Sequence, residues 1–291
     1  MNPYHQLASE YVRLARAGKT CPIGGLASAP QPRLPADAPK ALIFSPHPDD
    51  ECLIGGLALR LLREAGMRVV NVAVTQGSNR DRQAERLLEL ENACRYLGFG
   101  LLTTGPRGLE KVTVPARQAD PAAWRAAVKV IADILLREQP RVIFLPHEHD
   151  WNGTHIGTHF LVVEALQSLG PGFECFTVET EFWGAMTAPN IMVESSADEV
   201  ADLMAATSFH AGEVRRNPYH LRLPAWMQDN VRRGGELVGG QGGAAPDFDF
   251  ATLYRLRRWR AGGFADVFAG GRVLSCQQPA GELFPEALNG G

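Results

Sequence analysis

Between residues 41 and 169 short apolar runs alternate with longer stretches of helical period, an order that few folds accept. ALIFS (41–45), RVVNVAV (68–74) and RVIFLP (141–146) have the length and composition of buried strands. LIGGLALRLLREAG running to Gly66, residues 80–97 closed by Gly98, and residues 121–136 and 155–169 read as helices. Apolar strands separated by helices predict an α/β chain with a Rossmann-like, mostly parallel sheet and helices on both faces.

The flanks are less regular. FTVETEFW and IMVES read as further strands and 197–210 as a helix, whereas 217–261 mixes Tyr219, Trp226, Tyr254 and Trp259 with the tract GGELVGGQGGAAPDF and shows no period. The N-terminus offers an amphipathic helix followed by the Ala- and Pro-rich stretch ASAPQPRLPADAP, which favours an extended arm. The expected organisation is a single domain with extensions: an arm over 1–38, a central domain over 39–215 and a C-terminal extension over 216–291 packed on the same domain.

Composition removes several function classes. With a net charge of −3 and no block of Lys and Arg, the chain lacks a nucleic-acid footprint. No apolar stretch approaches the ~18 residues of a membrane span, and the polar first residues lack a signal-peptide core, so a cytoplasmic location is expected. The five cysteines are widely spaced without a CxxC pair, which points to reduced structural thiols. No GxGxxG follows the first strand, so a dinucleotide site is not expected either.

Ligands of open parallel sheets bind at the carboxyl ends of strands, and SPHPDDE (45–51) falls there. His47 and Asp50 are spaced to offer an imidazole nitrogen and a carboxylate oxygen to one ion, a donor set that Zn²⁺ accepts. Asp49 between them is available as a general base. The competing reading is a helix start, because Pro48, Asp49, Asp50 and Glu51 suit a cap and first turn, but it leaves His47 unexplained. A second cluster, His147, His149, Asp150, His155 and His159, follows the strand RVIFLP. A catalytic zinc site needs a third protein ligand from that loop, and spacing does not choose between His155 and His159, one helical turn apart.

SPHPDDE with a downstream histidine loop resembles the LmbE-like (PIG-L) zinc-dependent N-deacetylases. TQG (75–77) is similar to the family's Thr-x-Gly turn, and Arg86, Glu89, Ala93, Leu97 and Gly98 fit its R-x-x-E-x-x-x-A-x-x-x-L-G helix, so the resemblance covers roughly 41–169. It implies one zinc per chain held by His47 and Asp50, with Asp49 activating a water. The family's D-x-H-P-D-H-x-x-T loop followed by E-A-L aligns with DWNGTHIGT and Glu164, Ala165 and Leu166, which places the third ligand at His155 and leaves His159 as an extra histidine. The family's first loop histidine, which assists at the scissile carbonyl, is matched by Asn152, able to donate a hydrogen bond but not a proton. Protonation of the leaving amine then passes to Asp49 or to another histidine: His159, His149 or His210, the last in SFHAGE, similar to the family's H-x-S-Q element without its Ser and Gln. Arg80 and Arg82 are placed to meet substrate hydroxyls or an anionic group.

The resemblance implies hydrolysis of an N-acetyl group from a small amino-sugar-like substrate such as an N-acetylglucosamine derivative. The rivals are a metal hydrolase of another amide or an ester, and a metabolite binder that has lost catalysis. The C-terminal extension is expected to form a lid or wall over the substrate, and the N-terminal arm to be able to reach a neighbouring copy in a homo-oligomer.

Overall fold

A computed structural model describes residues 2–284. After the helix α1 (Tyr4–Gly18), none of whose residues is buried, an extended arm leads to β1 (Lys40–Ser45). The chain continues through α2 (Leu57–Arg63), β2 (Arg68–Ala73), α3 (Gln83–Leu97), β3 (Gly100–Thr103), α4 (Val114–Ala119), α5 (Pro121–Glu138), β4 (Val142–Pro146), α6 (Gly153–Ser168) and β5 (Cys175–Thr180). Next come β6 (Ile191–Glu194), α7 (Ala197–Ser208), α8 (Ala211–Arg216), α9 (Leu223–Leu237), β7 (Ala251–Arg260), β8 (Gly263–Asp266) and β9 (Arg272–Leu274).

The strands form one sheet in the order β3-β2-β1-β4-β5-β7-β6-β9, with β8 paired to β7. β3, β2, β1, β4 and β5 run parallel, and β7 enters antiparallel between β5 and β6. Each central strand is buried on both sides, which is why its apolar run is unbroken. In β1, Ala41 and Ile43 join one core with Leu57, Leu61, Leu90, Leu97, Leu203 and Met227, while Leu42 and Phe44 join the opposite core with Val128, Ile131, Leu135, Leu161 and Val162.

The expected α/β architecture is present. The expected helix after β1 starts late: Asp50–Cys52 is a single 3-10 turn and α2 begins only at Leu57, because Gly55 adopts φ 80° and a Cβ there would lie 2.5 Å from the Tyr254 hydroxyl. The unassigned stretch contains α9 and the ten-residue β7, whose run RLRRWR hides a buried strand. Arg257 within it reaches Glu179 at 2.6 Å and stacks on Phe264. Of the extension, 285–291 lie outside the described residues.

Strand order reverses between β1 and β4, the switch point where the loops after neighbouring strands diverge and leave a crevice. The register Ala41↔Val142 sets those two strand ends side by side. The C-terminal segment is tied back by the fully buried Arg60 of α2, which donates to Glu64, to the Glu194 carbonyl and to the carbonyls of Ser275 and Gln278. Arg60→Ala strips that carboxylate and three carbonyls of their donor, and is expected to lower unfolding stability by on the order of 3 kcal/mol in a denaturant titration. A change below about 1 kcal/mol would show the tie to be dispensable.

Candidate metal centre

Three side chains from the two loops meet at the switch point. His47 Nδ1 lies 3.4 Å from Asp50 Oδ2 and 3.2 Å from His155 Nε2, and His155 Nε2 lies 3.3 Å from Asp50 Oδ2. Zinc bonds of about 2.0–2.1 Å in a tetrahedron put its ligand atoms about 3.3 Å apart. The triangle therefore has the size of one tetrahedral face, and its two imidazoles and one carboxylate suit a divalent zinc-like ion.

The surroundings orient this triangle. Asp150 faces the far nitrogen of His155 at 3.7 Å and accepts the backbone N–H groups of Asn152 at 2.9 Å, Trp183 at 3.1 Å and Gly184 at 3.3 Å. Burial opposes a charge on His155, yet Asp50 and Asp150 outweigh it and raise its pKa to about 10. Burial likewise opposes the Asp50 anion, but the two histidines hold that carboxyl well below the usual range. A cation is thus strongly favoured at this spot, and an ion entering it displaces the His155 proton.

Asp49 stands beside the triangle in a backbone conformation with φ 119°, rare for a residue with a side chain and costing about 1–3 kcal/mol. Its N–H is taken by Glu51 at 3.0 Å, and Glu51 is in turn held by the fully buried His210 at 2.7 Å. From the other side Arg86 donates to the Pro48 carbonyl at 2.8 Å and lies 4.0 Å from the Asp49 carboxylate. Gly77, at φ 82°, makes room for that guanidinium, since a Cβ would stand 2.4 Å from it. Thr75 of the same turn donates to the Pro46 carbonyl at 2.7 Å. Burial and then the charge of Asp50 push Asp49 up to about 6, against His210, Arg86 and a hydrogen bond from Tyr219. That value suits a base working near neutral pH.

These groups open into a cleft of about 650 Å³ lined by His47, Asp49, Asp50 and Asn152, by the polar residues 78–80, and by a wall made of Trp183, Arg216, Asn217 and Tyr219. Asn152 caps α6, its carbonyl oxygen accepting the Thr154 N–H at 2.8 Å, which leaves its NH₂ as the donor to the cleft. Arg80 and Arg82 also line it, ion-paired with Glu110 and Glu213. The Gly-rich tract contributes no lining residue; the wall comes instead from the loop after β5, at Trp183, and from the end of α8 and the residues that follow it.

The remaining histidines stand elsewhere. His159 is buried one turn beyond His155, its Nδ1 at 2.9 Å from the Pro146 carbonyl, and burial lowers its pKa to about 4. His147 engages the Gly184 carbonyl at 2.8 Å, and His149 is exposed. His210 forms a buried cluster with Glu51 and Cys52 whose donor atoms bond one another, at 2.7 and 3.1 Å. Sequence reasoning missed Tyr219 as a site residue. It sits in the stretch without period, and the one available signal was its place among the unassigned aromatics of the extension.

The sequence model of the PIG-L family, described as GlcNAc-PI de-N-acetylase, matches residues 42–166. Residues 42–166 are a PIG-L domain. Both strand-end loops of the metal centre lie within this PIG-L segment, whereas Trp183, His210 and Tyr219 lie beyond it. Among solved structures, the N,N′-diacetylchitobiose deacetylase of Pyrococcus horikoshii is similar at 20% identity and a TM-score of 0.55, covering 78% of this chain and 85% of its own. The zinc-inhibited form of teicoplanin deacetylase is similar at 15% identity and a TM-score of 0.55, over 79% and 100% of the two chains. The 4-carboxy-2-hydroxymuconate hydratase of Pseudomonas putida is similar at 17% identity and a TM-score of 0.50, over 75% and 95%. At these identities the PIG-L fold is what is shared. No curated protein sequence matches the chain.

Because Asp150 faces the outer nitrogen of His155, Asp150→Asn is expected to weaken Zn²⁺ binding about 10- to 100-fold in competition with a chromogenic chelator. An unchanged Kd would reduce Asp150 to a loop anchor.

Proposed function

We propose that this PIG-L chain is a zinc-dependent N-deacetylase acting on an amino-sugar-like amide. The observation that carries the reading is the donor triangle of His47, Asp50 and His155 with Asp49 beside it at the floor of one cleft. When bound there, a zinc ion supplies Lewis-acid polarisation of an acyl oxygen and makes a nearby water more acidic.

The chain's own residues do the rest. Asp49, held near the top of the carboxylate range by burial, accepts the proton of the attacking water. Asn152 donates its NH₂ to the acyl oxygen as negative charge grows there, the role of an oxyanion-hole amide. Arg86 keeps the Pro48–Asp49 peptide and carboxylate in place. A cleft of about 650 Å³ with mostly polar walls suits a sugar, and Trp183, 47% exposed, offers a flat apolar face for one of its rings. The wall from Trp183 and residues 216–219 is the part we assign to substrate selection. The names of two structural neighbours, a diacetylchitobiose deacetylase and a teicoplanin deacetylase, point to the same chemistry.

The hydratase neighbour supplies a second reading, addition of water to a carbon–carbon double bond with the same base. Acetate release from N-acetylglucosamine and N,N′-diacetylchitobiose separates the two. The zinc-loaded chain is expected to release acetate, Asp49→Asn to lose at least about 10²-fold in kcat with its zinc retained, and His155→Ala to lose the zinc. A chain that binds no zinc, or an Asp49→Asn variant as active as the wild type, would defeat the deacetylase reading. No helix among the described residues is long and apolar enough to cross a membrane.

A further inference from the structure

Amide hydrolysis needs a proton for the leaving nitrogen, since an amine anion is too basic to depart unprotonated. Of the candidates in the sequence, His159 and His210 are buried on other partners, His149 points to solvent, and Asp49 lines the cleft but is already engaged as the base; the Asn152 amide has no acidic proton. One further side chain reaches that base. The Tyr219 hydroxyl donates to Asp49 Oδ2 at 2.6 Å, and both residues line the cleft. Among the described residues it is the one side-chain hydrogen-bond donor to Asp49. Its ring is fixed edge-on against Trp183, with centroids 6.3 Å apart, in a short turn (Tyr219–Arg222) that follows α8.

We propose that Tyr219 is a catalytic residue, the proton donor to the leaving amine, working in relay with Asp49; the inference rests on the deacetylase reading above. Asp49 takes a proton from water as the water oxygen bonds to the acyl carbon. The carbon–nitrogen bond then breaks while the Tyr219 O–H passes its proton to the nitrogen and the proton on Asp49 moves to the phenolic oxygen. One water is consumed, an acid and an amine are formed, and both side chains return to their starting states. The relay places the acid on an element outside the PIG-L segment.

The test compares leaving groups. An N-acetyl amine requires the proton, whereas 4-nitrophenyl acetate expels a phenolate without one. In the zinc-loaded full chain, Tyr219→Phe is expected to lower kcat on N,N′-diacetylchitobiose or N-acetylglucosamine about 10²-fold with little change in KM, while ester turnover changes less than about threefold. The visible spectrum and Kd of the cobalt-substituted variant should match the wild type, which establishes that the metal site is intact. Equal losses on amide and ester would make Tyr219 a positioning residue and overturn the relay. Unchanged amide turnover would overturn it while the deacetylase function stands, and a wild type that cleaves no N-acetyl amine would remove both.

Discussion

The left-handed backbone at Asp49 is the constraint on which the site depends. A non-glycine residue at φ 119° persists only where its surroundings over-determine it. Here they do so from several directions: Glu51 takes the Asp49 N–H, His210 fixes Glu51 from the end of α7, and Arg86 of α3 grips the Pro48 carbonyl. The result turns His47 and Asp50 toward the metal triangle and leaves Asp49 facing the cleft. An ordinary helix start would have sent these acids around the helix circumference, and the late beginning of α2 at Leu57 is the structural record of that difference.

Charge explains why the same turn is buried without partners of the usual kind. Among the described residues no lysine or arginine is bonded to Asp50 or Asp150, and the fields of these two carboxylates converge on His155. A buried group of carboxylates around one imidazole is a poor stability device, because desolvation costs several kcal/mol per ion. It is a good receptor for a dication, whose charge replaces that of the displaced proton. Asp50 and Asp150 differ for a geometric reason: Asp50 presents an oxygen to the triangle, whereas Asp150 accepts three backbone N–H groups and faces the outer nitrogen of His155.

Much of this was legible in the sequence because the informative residues are local. Unbroken apolar strands announced the parallel sheet, and the closeness of His47, Asp50 and His155 follows from two loops at neighbouring strand ends. Residues whose meaning is set by distant contacts were not legible. His147 and His155 look alike in a row of histidines, and only the approach of the Gly184 carbonyl diverts the first. β7 was hidden because Arg255, Arg257 and Arg258 interrupt its apolar pattern, their charges being met by Glu179 and Glu174 of the next strand and the loop before it. α9 was hidden by Gly234 and Gly235, poor helix formers that are needed where the helix packs tightly on Met192 and Leu253 and against Ala245.

The division between legible and hidden residues follows a division of labour. The matched segment supplies the donor triangle, Asp49 and the turn that carries them, at the ends of two strands in register. The wall of the cleft and the hydroxyl on Asp49 come from 183 and 216–219, which lie outside the strands of the sheet. The same fold is shared by proteins named as a diacetylchitobiose deacetylase, a teicoplanin deacetylase and a hydratase. In this chain the hydrogen bond from Tyr219 to Asp49 joins the two parts at the floor of the cleft, beside the contacts of His210 with Glu51 and of the Trp183 N–H with Asp150, so that the wall bears directly on the side chain next to the donor triangle.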